Sequence, residues 1–595
     1  MSRATPTVWM NVTTSSNWQR PAVGVVRVEK ELTQGLESLF GAANFKRCVW
    51  SHDRFVDLEL YAAKYPAKAA PVPVPAAAAV VEQPAHVPLM FPLLPRKAAL
   101  VSLAQAALSL TPARLRPGVN RLLMSAKVRA KRYLHNRAGG HSYIAPAQVE
   151  ANQPRGSSGL PGAEFKAGDI LLSVGLDWDY PYWRSFAALR KTYGVKVVTC
   201  CYDLIPVLYP QYCVSDVARR FTGYFIDVAE GSDLTLCISR QSEKDLKNLL
   251  SDVGGVQVPT HIFPLGDNVQ TVAGEPSQAV AQLVQEPYIL FVSTIERRKN
   301  HEVLYRAYHL LCAQGFKDKL PKLVFVGMPG WGVSELLMDM QLDPLVQGKI
   351  VQLNHVSDND LSHLYQHAQF FVFPSLYEGW GLPVGEALAM GKAVLCSDRG
   401  SLPEVGGNLV KYVDPWSPHA WAEAILTLST DKGALASIEA DVQAHYSIRT
   451  WQDACHSVKG ALDQLIAQPF RMQLLAGYDM RTEVGLASGP WIKGLGKPGL
   501  LMAGPGRSVP AGRYRLEVWG NVTGAGAHVK YEVVSAAGSA THAVHEARIE
   551  AASNVAAEIV ATFDVHFETH AHAVEIRGTL QLGNMSIERV VLEAV

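Results

Sequence analysis

The chain of 595 residues has little net charge, few cysteines and no long apolar run. Its formal net charge of +1 argues against a protein that binds nucleic acid over its whole surface. The 8 cysteines are scattered and form no Cys-x-x-Cys pair, so neither a zinc site nor a disulfide framework is indicated. Because no run approaches about 20 apolar residues and the N-terminus lacks a signal-peptide core, we expect a cytoplasmic protein without a membrane span.

Length and periodicity predict several domains. Short apolar strands alternate with helices in two blocks, which is typical of the α/β class. After residue 469 short strands separated by Gly, Ala and Asn predict an all-β sandwich. We therefore predict two tandem Rossmann-like domains and an accessory domain, over residues 1–270, 271–468 and 475–595. The strands expected are Thr7–Thr13, Phe45–Trp50, Ile170–Val174, Lys196–Cys201, Leu234–Ile238, Tyr288–Ser293, Leu323–Val326, Ile350–Leu353, Phe370–Phe373, Ala393–Cys396, Tyr514–Trp519, Val529–Val534, Ile559–Val565 and Val574–Arg577.

An insertion at about residues 62–165 interrupts the first α/β block. Residues 62–92 are rich in Ala, Pro and Val and resemble a linker, while residues 96–137 have helical character and no acidic residue. A basic amphipathic helix can lie on an anionic membrane surface. The same helix can instead pack on the protein with its charges in water, and both interpretations remain open.

The most informative segment runs from Phe373 to Gly407 and reads FPSLYEGWGLPVGEALAMGKAVLCSDRGSLPEVGG. A buried strand is followed by a glycine loop and a helix that begins near Pro383. Free N–H groups and the helix dipole make such a junction an anion site. Glu378 and Glu386 flank it with seven residues between them, so a phosphate with hydroxyl-rich groups on either side, as in a nucleotide sugar, would fit.

This segment resembles the Glu-x7-Glu signature of the retaining family-4 glycosyltransferases, which have the GT-B fold. The resemblance covers roughly residues 5–50 and 168–465, with Trp380 where Phe is commoner. It implies that Glu378 binds the donor sugar and Glu386 the ribose, while the backbone at Gly379, Trp380, Gly381 and Leu382 donates to the diphosphate.

The resemblance implies further site residues outside that segment. Lys299 and Arg298 match a basic element that stabilises the leaving diphosphate, although an earlier Arg of the family is missing. Asp203 is retained where relatives have His-Asp, but Tyr202 replaces the His, so no catalytic His is carried over. Two roles for Asp203 remain open: it holds the acceptor or the loop, or it only caps the next turn. The remaining matches are Gly24 and Arg27 on the acceptor side and Gly327 and Val356 on the nucleotide side.

Asp177 and Asp179 mimic the Asp-x-Asp metal motif of another glycosyltransferase fold, which has a single-domain architecture. In a tandem-Rossmann enzyme the basic residues and the helix dipole replace the cation. We therefore expect no metal and no other cofactor, only the nucleotide-sugar substrate.

The resulting prediction is a retaining, metal-independent hexosyltransferase that is either free in the cytoplasm or peripheral on the inner face of the cytoplasmic membrane. It would move a hexose from a nucleotide sugar to a lipid-linked or polysaccharide acceptor in cell-surface polysaccharide biosynthesis. Mannose from GDP-mannose is the first choice of donor. The alternatives are a UDP- or dTDP-sugar donor, a tandem-Rossmann epimerase or phosphorylase, and a glycan-binding scaffold. In the β domain, Tyr514, Trp519 and Tyr531 are expected either to form a glycan platform or to line a seam with the catalytic domains.

Overall fold

A computed structural model describes residues 6–18, 24–65, 159–213, 217–268, 274–550 and 556–595. The basic segment 96–137 and most of the Ala/Pro-rich segment lie outside these residues, so both interpretations of the insertion stay predictions. None of the helices in the described ranges is both long enough and apolar enough to cross a membrane.

The first domain is built on a seven-stranded sheet whose apolar strands are buried on both faces. The strand order is β3-β2-β1-β4-β5-β6-β7, and all neighbours are parallel except β2 and β3. Parallel strands covered on both faces are the signature of a doubly wound domain. In chain order the strands are β1 (Val8–Asn11), β2 (Phe45–Ser51), β3 (Arg54–Asp57), β4 (Ile170–Ser173), β5 (Lys196–Cys201), β6 (Leu234–Cys237) and β7 (Thr260–Ile262).

The helices of this domain connect those strands and cover the sheet. The longest is Val25–Phe40. Its apolar side chains at helical spacing, among them Val28, Leu32 and Leu36, are buried in the core. Its companions are Thr13–Ser16, Leu58–Lys64, Phe186–Tyr193, Ile205–Leu208, Val217–Gly231 and Arg240–Asp252. The predicted first strand was too long, because Thr13 already begins a helix, and the hairpin strand β3 was not predicted.

The second domain has a six-stranded, fully parallel sheet in the order β10-β9-β8-β11-β12-β13. This is the Rossmann order, which reverses direction between β8 and β11, and ligands bind at that point beyond the strand ends. The strands are β8 (Tyr288–Val292), β9 (Lys322–Val326), β10 (Ile350–Leu353), β11 (Phe370–Phe373), β12 (Val394–Cys396) and β13 (Lys411–Tyr412). The helices are Gln278–Leu283, His301–Ala313, Ser334–Leu342, Asp358–His367, Leu382–Ala389, Leu402–Gly406, Pro418–Thr430, Lys432–His445 and Trp451–Ala467.

The last of these helices returns to the first domain and packs against helix Val25–Phe40. The two helices approach so closely that a side chain at Gly35 would lie 2.2 Å from Cys455 Sγ. Thr450 and Asp453 form a capping box at the start of the returning helix. The two Rossmann-like domains therefore face each other across a cleft, and the predicted GT-B arrangement is confirmed.

The C-terminal domain is one eight-stranded antiparallel sheet dominated by two long strands. Its strands are β14 (Arg471–Leu475), β15 (Gly485–Ser488), β16 (Trp491–Gly494), β17 (Gly499–Val509), β18 (Gly512–Ser535), β19 (Ala540–Ile549), β20 (Glu558–Phe567) and β21 (Ala571–Ala594), and helix Ala476–Asp479 follows β14. The N-terminal half of β18 pairs with β20, and its C-terminal half pairs with β19. Strands β19 and β20 nevertheless come together, because the rings of His545 and Phe563 stack with their centres 4.8 Å apart. The sheet thus folds over itself around one core, as a sandwich does.

This arrangement corrects two predictions for the β domain. The strands expected at Tyr514–Trp519 and Val529–Val534 are parts of the single strand β18, because the pairing with β21 resumes at Ala527 after a bulge in which residues 524–526 have no partner. Tyr514 and Tyr531 are 1% and 0% exposed, so they are core residues and cannot form a glycan platform. Trp519 is half-buried beneath the Arg589 guanidinium, 4.1 Å from the ring centre.

The β domain packs on the first Rossmann-like domain. Strand β17 runs along helix Phe186–Tyr193, and the turn after that helix lies so close that a side chain at Gly194 would be 3.1 Å from Ser508 O.

Candidate active site

The glycine loop after β11 shapes the second domain's side of the cleft. Gly381 has φ of 107°, a left-handed conformation that favours glycine, and it immediately precedes helix Leu382–Ala389 with Pro383 in the first turn. A side chain at Gly381 would also lie 2.6 Å from Leu402 Cδ2. Among the hydrogen bonds of the described residues, none uses the N–H groups of Gly379, Trp380 or Gly381. The loop therefore presents free backbone donors beside a helix N-terminus.

Glu378 is the centre of a buried charged cluster. Its Oε1 accepts hydrogen bonds from Lys299 Nζ at 2.6 Å and from Ser375 Oγ at 2.6 Å, and its Oε2 lies 2.9 Å from Arg298 Nη1. Burial alone would raise the pKa of this carboxyl, but the charges of Arg298 and Lys299 outweigh it and lower the pKa to about 2. Glu378 is therefore ionised throughout the physiological range.

Arg298 and Lys299 lie in the loop after β8, at the carboxyl edge of the second sheet. Arg298 also donates to Tyr377 O at 2.6 Å and to Glu296 Oε1 at 2.9 Å, and Leu376 N donates back to Arg298 O. Burial lowers the pKa of Lys299 and so does the neighbouring Arg298, whereas the pKa of Arg298 is raised by Glu378 and Glu296 against the effect of burial. Two adjacent cations thus point into one small region and are held by carboxylates.

The two domains touch at Gly379. A side chain there would lie 2.4 Å from Tyr202 O and 2.9 Å from Asp203 Cβ, so only glycine fits. Ser242 joins both sides, because its hydroxyl is 2.7 Å from Tyr202 O and 3.4 Å from Gly379 O. The end of β5 in the first domain is thereby placed directly opposite the glycine loop.

Tyr202 and Asp203 make different contacts at that junction. The Tyr202 hydroxyl donates to Val174 O at 2.5 Å and is buried, so the phenol points into the first domain. Asp203 Oδ1 accepts from Ile205 N at 3.0 Å. Burial raises the pKa of Asp203 and the charge of Arg298 opposes that rise, which indicates an acid close to the cationic pair.

Glu386 lies on helix Leu382–Ala389, and its two carboxylate oxygens have different partners. Oε2 accepts from the Tyr365 hydroxyl at 2.7 Å, and Oε1 accepts from Arg27 Nη1 at 2.7 Å. Arg27 comes from helix Val25–Phe40 of the first domain, which follows Gly24. The sequence resemblance placed Arg27 on the acceptor side, whereas the structure shows it bonded to the acid predicted to bind the donor.

Gly327, Val356 and Trp380 complete the predicted donor side. A side chain at Gly327 would lie 2.0 Å from Ser293 O, so the strand end β9 can approach the loop after β8 only with glycine. Val356 is half-buried against the main core. Trp380 is buried and its ring lies 5.2 Å from the Arg449 guanidinium.

Asp177 and Asp179 do not face a common point. Asp177 is buried and accepts hydrogen bonds from Ser173 Oγ at 2.9 Å and from the Tyr182 hydroxyl at 2.7 Å. Asp179 is half-exposed and lies 3.4 Å from Arg220 Nη1. No group of three or more His, Cys, Asp or Glu side chains with a metal-binding arrangement occurs among the described residues.

Several residues of the site were not predicted. Ser375 and Tyr365 hold the two glutamates, and Glu404 accepts from the N–H groups of Arg240 and Gln241 at 2.8 Å each, across the domain boundary. Ser375 and Glu404 lie within the segment from Phe373 to Gly407 but carried no separate signal. Tyr365 lies on a helix remote from that string, and only the fold brings it to Glu386.

Comparison with known proteins identifies one family model and several sequence relatives. Residues 276–444 match the family model described as glycosyl transferases group 1. O-antigen chain mannosyltransferase B of Escherichia coli is 32% identical over 222 residues, which is 37% of this chain and 58% of that protein. Serotype-specific mannosyltransferase WbdA of Escherichia coli is 26% identical over 273 residues, or 44% of this chain and 33% of that protein. The chain thus spans only 58% and 33% of these curated relatives.

Among solved structures, sucrose-phosphate synthase from Thermosynechococcus elongatus is similar with a TM-score of 0.45 and 18% identity. That match covers 78% of this chain and 100% of the other.

Proposed function

We propose that this chain, which carries a group 1 glycosyltransferase domain, transfers a hexose from a nucleotide sugar to a lipid-linked or polysaccharide acceptor in cell-surface polysaccharide biosynthesis. Mannose from GDP-mannose is the first choice, supported by the mannosyltransferase names of its relatives. The single observation that carries the proposal is the cluster of Lys299, Arg298 and Glu378 beside the free N–H groups of Gly379 to Gly381.

The donor diphosphate would lie at the N-terminus of helix Leu382–Ala389. Backbone donors and the helix dipole favour an anion there, and Lys299 and Arg298 supply two positive charges. As the bond between sugar and phosphate breaks, negative charge grows on the leaving oxygen, and a preorganised cation stabilises it more than it stabilises the intact donor. The basic pair therefore lowers the barrier to departure of the nucleoside diphosphate.

The two glutamates would bind opposite ends of the donor. Glu386 would accept hydrogen bonds from ribose hydroxyls, and Glu378 would accept from hydroxyls of the transferred sugar while its charge supports the developing positive centre. Because the pKa of Glu378 is about 2, it is ionised and can accept but not donate. Its oxygens are already held by Lys299, Ser375 and Arg298, which argues against a covalent nucleophile.

We favour transfer with retention because the segment around Glu378 resembles the signature of retaining enzymes, and without a covalent nucleophile retention requires attack on the face that the leaving group occupied. The acceptor hydroxyl would attack the sugar carbon on the face that the leaving group vacates. The leaving diphosphate would take the proton of that hydroxyl. Atoms balance, because the bond between sugar and phosphate oxygen breaks, the bond to the acceptor oxygen forms, and the proton moves to the diphosphate. Asp203, opposite the glycine loop, would orient the acceptor hydroxyl.

A donor screen tests the proposal. Purified protein would be incubated with GDP-mannose, UDP-glucose and dTDP-glucose, and thermal shift and release of the nucleoside diphosphate would be measured. We expect one donor to raise the melting temperature and to be slowly hydrolysed or transferred, and the product's anomeric configuration, read by NMR, to match that of the donor. Absence of any shift and any turnover would contradict the proposal, and an inverted product would contradict retention alone.

A further inference from the structure

Two segments of the chain lie side by side where it passes between the Rossmann-like domains. One, residues 266–268, follows β7, and the other, residues 446–451, leads into the returning helix. Asp267 N donates to Arg449 O at 2.9 Å, and Arg449 N donates to Asp267 Oδ1 at 2.9 Å. The two segments are therefore joined through their backbones, and together we call them the interdomain junction.

A buried ion pair also joins the two segments. The Asp267 side chain is 0% exposed, and its Oδ2 accepts from Arg449 Nε at 2.9 Å. The Tyr446 hydroxyl donates to the same carboxylate oxygen, and Arg449 Nη2 donates to that hydroxyl at 2.9 Å. The Arg449 guanidinium is thus held in one orientation by a carboxylate and a phenol.

The donor side of the cleft contacts the interdomain junction in two places. The Arg449 guanidinium lies over the Trp380 ring of the glycine loop, 5.2 Å from its centre. A side chain at Gly385, on helix Leu382–Ala389, would lie 2.8 Å from Asp267 Cβ, so the helix and the junction touch there. The junction therefore supports both the loop and the helix that are proposed to hold the diphosphate.

The backbone and the ring of Trp380 are held by different groups. The Ser401 hydroxyl lies 2.9 Å from Trp380 O and 3.0 Å from Glu378 O, and so restrains the loop backbone. The buried indole Nε1 has no hydrogen-bond partner among the described residues, so no hydrogen bond orients the ring. A cation is attracted to the face of an aromatic ring, most strongly to that of Trp. The ring is therefore oriented by its packing and by the Arg449 guanidinium.

We propose that Arg449 is a positioning residue for the donor site, which through the Trp380 ring holds the N–H groups of the glycine loop in the orientation that binds a diphosphate. This inference rests on the proposed function, in which these N–H groups donate to the donor's diphosphate. A loop that is already ordered binds its ligand at a lower entropic cost. Loss of the guanidinium should therefore weaken the diphosphate contacts and leave those of the base and ribose unchanged.

Calorimetry without any acceptor measures this effect. GDP, GMP, UDP and UMP are each titrated into the full chain and its variants. The quantity compared is the dissociation constant of the monophosphate divided by that of the diphosphate, which reports the affinity gained from the second phosphate. The variants are Arg449→Ala, Trp380→Leu and the two changes combined.

Arg190→Ala is the matched control. Arg190 is also an arginine in an ion pair with an aspartate, because it donates to the two carboxylate oxygens of Asp233 at 2.9 Å and 2.7 Å. That pair lies in the first domain near the starts of β5 and β6, at the edge of the sheet opposite the glycine loop. The control should leave the ratio unchanged.

Arg449→Ala should lower the ratio about three- to tenfold for the nucleotide that binds better, the range for losing a partly exposed cation–π contact. Trp380→Leu should lower it by a similar factor. The combined variant should lose no more than the larger single loss, because both changes remove the same contact.

A further variant covers the case in which Arg449→Ala does not fold, because that change leaves the buried Asp267 without its cation. Asp267→Asn combined with Arg449→Gln removes both charges and should lower the ratio to the same extent. Circular dichroism and melting temperature report whether each variant folds.

An unchanged ratio in the folded Arg449 variants would overturn the positioning role, even if both affinities fell together, as in a general structural defect. Fully additive losses in the combined Arg449 and Trp380 variant would overturn it as well. These outcomes leave the proposed function intact. Failure of the unchanged protein to bind either GDP or UDP would instead overturn the proposed function, and the positioning role with it.

Discussion

Each Rossmann-like domain buries an acidic cluster near the carboxyl edge of its sheet. The two clusters differ in how the desolvation of the buried carboxylates is offset. In the second domain Glu378 is paired with Arg298 and Lys299, and its pKa falls to about 2. In the first domain Glu29 is buried near Asp177, and within the described parts of the chain neither forms an ion pair. Burial raises the pKa of Glu29 to about 7 and that of Asp177 to about 6.

The difference supports Glu378, and not Glu29, as the acid proposed to act on the donor. Glu29 Oε1 accepts from Ser15 N at 2.6 Å, while Oε2 has no hydrogen-bond partner among the residues described. An acid that can take up a proton relieves its own desolvation, and it needs no cation. The second cluster instead keeps three charges in a buried place, an arrangement that is rarely favourable for stability alone but is useful where charge develops during a reaction.

The largest expected effect follows from removing the paired acid. Glu378→Ala leaves Lys299 and Arg298 without their shared partner, and breaking a buried pair in this way costs about 3–5 kcal/mol of unfolding free energy. Chemical denaturation should show this loss, and donor turnover should also disappear. Glu302→Ala, which removes an exposed partner of Arg306, should change stability little. An equal loss of unfolding free energy in the two variants would contradict the distinction between a buried acid paired with cations and an acid on the surface.

Activity should respond more to the cations than stability does. Lys299→Ala should slow transfer by about two to three orders of magnitude, the scale for losing one group that stabilises developing charge. Arg297→Ala, two residues earlier at an exposed position, should stay within a few-fold of the unchanged rate. Initial rates with saturating donor provide the measurement, and a Lys299→Ala enzyme of normal rate would remove this residue from the reaction.

Glu29, the buried acid without a cation, should make the folded protein less stable as pH rises. Because the pKa of Glu29 is raised from 4.5 to about 7, the folded protein binds more protons than the unfolded chain between these values. Stability should therefore fall as pH rises from 4.5 to 7, by up to about 3 kcal/mol from this group. Glu29→Gln should remove that part of the slope and gain stability above pH 7. A variant that is less stable than the unchanged protein at pH 8 would show that Glu29 is needed as a charge.

Glu378, the acid paired with cations, should make the folded protein less stable as pH falls. Because the pKa of Glu378 lies below its value in the unfolded chain, its contribution is present above pH 4.5 and is lost as pH falls toward 2. The acid limb of a pH–stability curve should accordingly be shallower in Glu378→Gln than in the unchanged protein. Identical acid limbs would mean that folding does not lower the pKa of Glu378.

The smallest expected effect is that of chelation. Neither cluster belongs to a metal-binding group in the described ranges, and in the proposed mechanism cations of the protein balance the diphosphate. EDTA should therefore change donor turnover by less than about twofold, well below the loss expected for a missing charge stabiliser. A strict requirement for Mg²⁺ or Mn²⁺, restored by adding the ion back, would overturn the metal-independent assignment.

Much of the fold followed from local pattern. Apolar runs such as Phe370–Phe373 and Lys196–Cys201 are confirmed as strands, because strands covered on both faces need nearly continuous apolar sequence. The β domain was less predictable. Alternation identified strands there, but it did not reveal that β18 resumes its pairing with β21 beyond the unpaired Gly/Ala bulge or that Tyr514 and Tyr531 face the core. Which face of a strand is buried depends on what packs against it.

The sequence by itself determined the strand–loop–helix unit around Glu378, since Gly379, Gly381 and Pro383 encode its backbone locally, and it determined the spacing of the two glutamates. Only the tertiary structure decided their partners. Lys299 lies 79 residues from Glu378 and Arg27 lies 359 residues from Glu386, and each meets its acid only where strand ends or domains converge. The physical reason is that glycine and proline constrain the chain over a few residues, whereas the partner of a buried charge is selected by the packing of the whole cleft.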